Sequence, residues 1–179
     1  MIRIFVTLAW FTVLFAIATF CLGAAIGEFR QQPTDEALTW LRIHKLCGLA
    51  AALLVVFVNS VVVTYFIGTS RWCREVVETY KLDGEYIACS NRLKRSAFPW
   101  ALSAMLVIVG VIALGAAADP GTGRQHTEEW AMPHLLGSIV GIGFVCWAFL
   151  AQASRITANH VLINEIVADV ARIRAERGL

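Results

Sequence analysis

The chain has 179 residues, of which 58% are hydrophobic and only 16% are charged, and its formal net charge is +2. Because soluble domains carry about 25% charged residues, this composition excludes an ordinary soluble domain. No basic patch is interleaved with aromatic residues, so nucleic acid is not an expected partner.

Four stretches of the chain lack Asp, Glu, Lys and Arg: residues 4–27, 46–70, 96–118 and 130–154. Each is long enough to cross about 30 Å of hydrocarbon as a helix that rises about 1.5 Å per residue. A backbone in lipid must satisfy its own hydrogen bonds, which favours helices. We therefore predict a single membrane domain, residues 1–179, with transmembrane helices at about 4–27, 40–70, 97–118 and 130–154.

The first stretch could instead be a cleaved signal peptide, with Arg3 as a minimal basic region. Its apolar run is longer than that of a usual signal peptide, so we interpret it as a retained helix. Eleven of the fifteen Lys and Arg residues fall in residues 1–3, 71–95 and 155–179. By the positive-inside rule these segments are cytoplasmic. We expect a bacterial inner-membrane protein with both termini in the cytoplasm.

Two segments outside the membrane carry apolar residues at helical spacing. Residues 71–95 are interrupted at Leu82-Asp83-Gly84, and Pro99 falls near the expected start of the third helix, where proline is tolerated. In residues 155–179 the apolar stripe includes Val161, Ile166, Val170 and Ile173. We predict amphipathic cytoplasmic helices after the second and fourth transmembrane helices. The tail could extend the fourth helix, lie on the membrane or dock on a partner.

The two halves of the chain share a pattern. Gly23-Ala24-Ala25 is followed by Trp40-x-x-x-His44, and Gly115-Ala116-Ala117 is followed by Trp130-x-x-x-His134. This spacing predicts two tandem hairpins related by a pseudo-two-fold axis along the membrane normal. The predicted fold class is therefore an all-α polytopic membrane four-helix bundle.

His44 and His134 are ionisable residues within predicted membrane helices, which makes them candidates for function. Both fall near the outer ends of helices that run in the same direction. Two neutral imidazoles from two helices can hold one b-type haem, so we predict that both are metal ligands. Small residues on the two histidine faces would leave flat space for the macrocycle: Cys47, Gly48 and Ala51 near His44, and Gly137, Ser138 and Gly141 near His134.

Further residues fit the same interpretation. Arg42, Lys45 and Arg124 could pair with haem propionates at the outer surface. Trp40 and Trp130 would lie at the membrane interface and cover the haem edge. Such a subunit would pass electrons between quinone, or an outer-face redox partner, and a larger complex. Helix count, paired histidines and nearby glycines resemble, in general terms only, small four-helix b-type cytochromes and the membrane anchors of respiratory enzymes.

Other interpretations stay open. Small residues such as those of Gly137-x-x-x-Gly141 also let membrane helices pack closely without a cofactor, which favours a structural or accessory subunit within a larger complex or homo-oligomer. A small transporter and a pigment-binding protein are further alternatives. The sequence contains no phosphate loop, nucleophile elbow or zinc-protease motif, so no catalytic residues are predicted and enzyme activity by the chain alone is not expected.

Overall fold

A computed structural model describes residues 1–29 and 34–178, without the side chains of residues 27–29. The predicted loop between the first two helices includes residues 30–33, which lie outside the described residues. The described part is helical without strands, which confirms the predicted all-α class. Its four long helices are α1 (Ile2–Phe29), α2 (Asp35–Tyr80), α3 (Glu85–Ala117) and α4 (Ala131–Glu176), and two short 3₁₀ turns, Pro120–Thr122 and Thr127–Trp130, lie between α3 and α4.

All four helices are long and apolar enough to cross a membrane. Large apolar side chains cover the outside of the bundle, where a soluble protein would present polar groups. This surface is consistent with lipid as the surrounding solvent. Among the most exposed of these side chains are Leu46, Leu53, Leu106, Val140 and Leu150.

Each helix packs against the next in the chain, and α1 also packs against α4, which closes the bundle. The end of α1 lies beside the start of α2, and the end of α2 lies beside the start of α3, so the helices alternate in direction. Aromatic, β-branched and small side chains fill the centre between them. The core includes Phe5, Val58, Val62, Phe66, Ala104 and Ala148.

Three side-chain hydrogen bonds connect α2 and α4 inside the bundle. Gln152 Nε2 donates to Asn59 Oδ1 at 2.8 Å, while Gln152 Oε1 has no hydrogen-bond partner among the described residues. Asn159 Nδ2 donates to the Tyr65 hydroxyl at 2.9 Å and to Thr69 Oγ1 at 3.1 Å. Because amides in an apolar interior need partners, these contacts favour one register between the two helices.

The segment predicted as a cytoplasmic loop, residues 71–95, is built from continuations of two long helices. α2 runs without a break through Arg71 to Tyr80, and α3 begins at Glu85. The turn between them places Lys81 in the left-handed region, with φ 55°. The N–H of Leu82 donates to the Val77 carbonyl at 3.0 Å and closes the end of α2.

Residues 155–176 extend α4, which was one of the three possibilities for the tail. We call the three extensions, residues 71–80, 85–95 and 155–176, the helical stem. A small core of Cys73, Val77, Leu162 and Ile166 holds the stem together. Of the predicted apolar stripe of the tail, Ile166 is buried in this core and Val170 packs against it, whereas Val161 is 52% exposed.

A polar contact fixes α3 against α4 in the stem. The Tyr86 hydroxyl donates to Asp169 Oδ2 at 2.8 Å, and Arg172 Nη2 donates to Asp169 Oδ1 at 3.0 Å. The hydrogen bonds from Tyr86 and then Arg172 lower the pKa of Asp169 below its ordinary value. The same contact raises the pKa of Tyr86, so both groups keep their neutral-pH protonation states over a wider range.

Pro99 lies inside α3 instead of at its start, because α3 begins fourteen residues earlier at Glu85. Proline has no N–H to donate to the carbonyl of Arg95. Close to this break, Arg155 Nε donates to the Ser96 carbonyl at 3.0 Å. The Arg155 guanidinium also lies 5.9 Å from the centroid of the Trp100 ring. Side chains of α4 thus support α3 where the helix passes from the stem into the apolar bundle.

Candidate histidine site

The two histidines of the predicted site lie together inside the bundle. His44 extends from the first part of α2 and His134 from the first part of α4. Their ring centroids are 6.4 Å apart, and the ring planes are inclined at 68°. α2 and α4 lie across the bundle from each other, so the pair spans its centre. We call this end the histidine end, and the opposite end the stem end.

The His44 ring packs against a glycine of α1. A Cβ atom built on Gly23 would lie 2.5 Å from Cε1 of His44 and 3.0 Å from Nδ1 and from Nε2. These distances are far below van der Waals contact, so a side chain at residue 23 would take the space that the imidazole fills. Gly23 is therefore required for the observed position of the ring.

A backbone carbonyl orients the same ring. His44 Nδ1 lies 3.2 Å from the carbonyl oxygen of Thr19, one helical turn before Gly23. A carbonyl only accepts hydrogen bonds, so Nδ1 carries the proton and donates it. In the neutral imidazole this leaves the lone pair on Nε2, which is the tautomer required of a metal ligand that coordinates through Nε2.

His134 is packed in a similar way on the other side. A Cβ atom on Gly115 of α3 would lie 3.0 Å from Cε1 of His134 and 3.4 Å from both ring nitrogens. The backbone of Val111, one turn before Gly115, interacts with this ring. However, Nδ1 of His134 is buried and reaches no hydrogen-bond geometry with any described group. Packing against Gly115 positions the ring, and its Nδ1 has no hydrogen-bond partner among the described residues.

The glycines that follow the histidines have different surroundings. A Cβ atom on Gly137 would lie 2.6 Å from Cδ1 of Leu114, and one on Gly141 would lie 2.7 Å from Cγ2 of Val111. The space that we predicted to be flat beside His134 therefore contains side chains of α3. In contrast, no described atom lies within 4 Å of a Cβ on Gly48, which leaves the His44 face open.

The predicted charged and aromatic residues surround the pair at the surface. Lys45 Nζ lies 2.9 Å from Asp119 Oδ2, so its charge is already engaged by a carboxylate. Arg42 and Arg124 are exposed. Trp40 and Trp130 are also exposed, on the first turns of α2 and just before α4. None of these four interacts with the histidine pair in the contacts described, and their assigned roles stay predictions.

The contact partners of the two rings are not predicted by the sequence. In the sequence, Gly23 and Gly115 stand out only as parts of a repeated Gly-Ala-Ala pattern. Each glycine precedes its histidine by a similar number of residues, twenty-one for Gly23 and nineteen for Gly115. This repeated spacing is a signal in the sequence that the two contacts are related. Which face of α1 and α3 would meet the rings could not be derived from one sequence.

The pair brings two imidazole rings together, with centroids 6.4 Å apart. Within the described ranges, no group of three or more His, Cys, Asp or Glu side chains could hold a metal ion.

Fold and site together define an all-helical protein with four helices able to span a membrane and a half-buried histidine pair at one end of the bundle. No family model, curated protein or solved structure matches this chain.

Proposed function

We propose that the chain is a b-type haem-binding membrane subunit for electron transfer, with His44 and His134 as the axial ligands. One observation carries the proposal, the 6.4 Å between the two ring centroids. A metal–imidazole bond of about 2.0–2.1 Å, plus about 1.1 Å from nitrogen to ring centroid, separates the centroids of two opposed ligands by roughly 6.3 Å. The observed separation is therefore compatible with one shared iron.

The surroundings of the rings support this chemistry. The Thr19 carbonyl selects the His44 tautomer with a free Nε2 lone pair. Gly23 and Gly115 let the two rings pack closely against α1 and α3. The open face at Gly48 is the side on which a macrocycle has room, whereas Leu114 and Val111 fill the face beyond His134. When bound, the haem supplies reversible one-electron chemistry, and the protein supplies ligands, burial and orientation.

A partner is part of the proposal. From His44 to Ser70, where α2 reaches the stem, the helix rises about 39 Å at 1.5 Å per residue. One haem at the histidine end therefore needs a second redox centre to carry electrons to the other side. We propose that quinone or an outer-face redox protein exchanges electrons at this end, within a larger membrane complex.

The proposed setting is a bacterial inner membrane with both termini in the cytoplasm and with the two hairpins related as a tandem repeat. The excess of Lys and Arg in residues 1–3, 71–95 and 155–179 supports this orientation. The paired contacts Gly23–His44 and Gly115–His134 support the repeat. A fluorescent protein fused after Leu179 should be fluorescent in cells, and an alkaline phosphatase fused there should be inactive. The reverse pattern would contradict the orientation.

The experiment that tests haem binding is spectroscopic. The parent, His44→Ala, His134→Ala and His160→Ala are purified in detergent after haem supplementation, and reduced-minus-oxidised spectra are recorded. His160 is an exposed stem residue and serves as the matched control. We expect a low-spin Soret and α-band in the parent and the control, and loss of both in the two site variants. A parent without these bands would refute the proposal.

The competing function is a cofactor-free structural subunit whose helices bind other membrane chains. Leu114 and Val111, packed onto Gly137 and Gly141, favour it, because close helix packing alone explains those two glycines. It predicts no haem bands in any variant, together with co-purification of a stoichiometric membrane partner under mild detergent.

A further inference from the structure

Two grooves adjoin on the outer surface of α3 and α4, where the stem joins the apolar bundle. The first measures about 530 Å³ and is lined by Ala88, Asn91, Arg92, Arg95 and Ser96. The second measures about 320 Å³ and is lined by Trp100, Trp147, Leu150, Ala151 and Arg155.

The two grooves are parts of one surface. Arg92, Ser96 and Trp100 follow one another at four-residue steps, so they lie on one face of α3. Arg155 connects the grooves, because its Nε donates to the Ser96 carbonyl at 3.0 Å while its guanidinium lies over the Trp100 ring at 5.9 Å. A molecule that lies along α3 would therefore contact a polar, basic part first and an apolar, aromatic part next.

The basic part of this surface carries exposed positive charge. Arg92 and Arg95 are exposed, and no ion pair among the described residues includes Arg92, Arg95 or Arg155. Arg92 and Arg95 lie about one turn apart on α3 and have no carboxylate partner among the described residues, which favours an anion there. The Arg155 guanidinium already donates to the Ser96 and Ala151 carbonyls. Planar guanidinium groups match the oxygens of a phosphate particularly well.

The apolar part has the properties of a site for acyl chains. Trp147 and Leu150 are 63% and 69% exposed on the outside of a bundle that could lie in a membrane. Tryptophan is enriched at the level of lipid headgroups, where its ring contacts chains and its N–H contacts polar groups. In a bundle that spans a membrane, the change from arginines to tryptophans along α3 and α4 would fall where headgroups meet hydrocarbon.

We propose that this surface binds one anionic glycerophospholipid, with its phosphate at Arg92 and Arg95 and an acyl chain along Trp100, Trp147 and Leu150. Charge complementarity decides the occupant: a zwitterionic lipid offers the same chains, but its phosphate is already balanced by its own cation. Basic clusters beside membrane helices bind anionic headgroups by the same physics. The proposal does not depend on haem binding at the opposite end.

The test measures lipid binding to the full chain in detergent. Native mass spectra and thermal shifts are recorded with phosphatidylglycerol, with phosphatidylcholine of identical chains, and with inorganic phosphate alone. We expect phosphatidylglycerol to bind and to raise the Tm, and the other two to have little effect. Equal effects of both lipids would overturn the proposal, and the same shift with inorganic phosphate would indicate a free-anion site and overturn it too.

Matched variants locate the site. Arg92→Gln/Arg95→Gln should weaken phosphatidylglycerol binding about 25-fold, since each basic residue near an anionic surface contributes roughly fivefold. Arg174→Gln/Arg177→Gln changes the same charge at the exposed end of α4 and should leave binding unchanged. Equal affinity in the two double variants would overturn the assignment.

A second pair tests the apolar part. Trp147→Ala should weaken binding of the long-chain lipid, whereas Trp10→Ala, an equally exposed tryptophan on α1 at 62%, should not. Equal retention of phosphatidylglycerol by these two variants would show that no acyl chain lies against Trp147.

Discussion

Gly23→Ala places one methyl group against the His44 ring. The added Cβ would lie 2.5 Å from Cε1 of His44, whereas two carbon atoms in contact are normally about 3.5–4.0 Å apart. The imidazole would have to move by about 1 Å, and its position is limited by the Thr19 carbonyl at 3.2 Å and by the His134 ring, with centroids 6.4 Å apart. The ring therefore loses its hydrogen bond or is pressed toward its partner.

The expected change in the free energy of unfolding is the sum of two opposing effects. Inserting a methyl group into a well-packed site destabilises by about 1–3 kcal/mol. Replacing glycine by alanine within a helix stabilises by about 0.5–1 kcal/mol where space allows. We expect a net destabilisation of about 1–2 kcal/mol for Gly23→Ala. For Gly115→Ala we expect a smaller loss, because its Cβ would lie 3.0 Å from the His134 ring instead of 2.5 Å.

Thermal unfolding of the purified variants in one detergent measures the effect. Gly68→Ala and Gly110→Ala are the controls, since no described atom lies within 4 Å of a Cβ at either position. These two variants gain the helix propensity of alanine without a steric clash, so their Tm should equal or exceed that of the parent. If Gly23→Ala shows the same rise as these controls, the proposed packing of His44 against α1 is refuted.

Three further predictions concern the rest of the bundle. A double-mutant cycle with Asn59→Ala and Gln152→Ala should give a coupling of about 0.6–1.7 kcal/mol in thermal or denaturant unfolding, and additive effects would contradict the hydrogen bond. Tyr86→Phe should lower stability at neutral pH. Because the folded-state pKa of Asp169 is depressed, its stabilising contribution is present above the ordinary value of 3.8 and is lost as the pH falls through the folded value. The Tm difference between parent and variant should therefore shrink below about pH 4 in a pH series, and a constant difference down to the lowest pH would contradict this origin. Lys45→Ala removes a partly exposed ion pair and should cost less than about 1 kcal/mol, with the Tm difference vanishing at high salt. A large, salt-independent loss would contradict that estimate.

The helices that could span a membrane were predictable because their signal is local. A run without charge long enough to cross hydrocarbon allows few structures other than a helix, and the four runs agree with α1–α4. The continuation of α2 past Ser70 and Arg71 was harder to predict from the sequence. Charged residues end a membrane span, but they do not end a helix. The position of the turn between α2 and α3 therefore depends on Lys81 and on the stem core.

The closeness of the two histidines was predictable, whereas their packing was not. The spacing pattern indicated His44 and His134 as a pair, and the rings do lie close together. The neighbours of each ring depend on helix rotation, which a single sequence does not determine. That is why Gly23 and Gly115 were missed as contacts, and why Gly137 and Gly141 face Leu114 and Val111.

The short turn after Tyr80 is a suitable insertion site for a fusion domain that would aid imaging. Both helices that flank Lys81 and Gly84 are continuous with helices of the apolar bundle, and the turn lies beyond the stem core, clear of the apolar surface. A small rigid domain inserted there, with its own terminal helices fused in register to α2 and α3, would be held in a fixed orientation. Such a fusion would give a chain of 179 residues the added mass and asymmetric outline that particle alignment by electron cryo-microscopy requires.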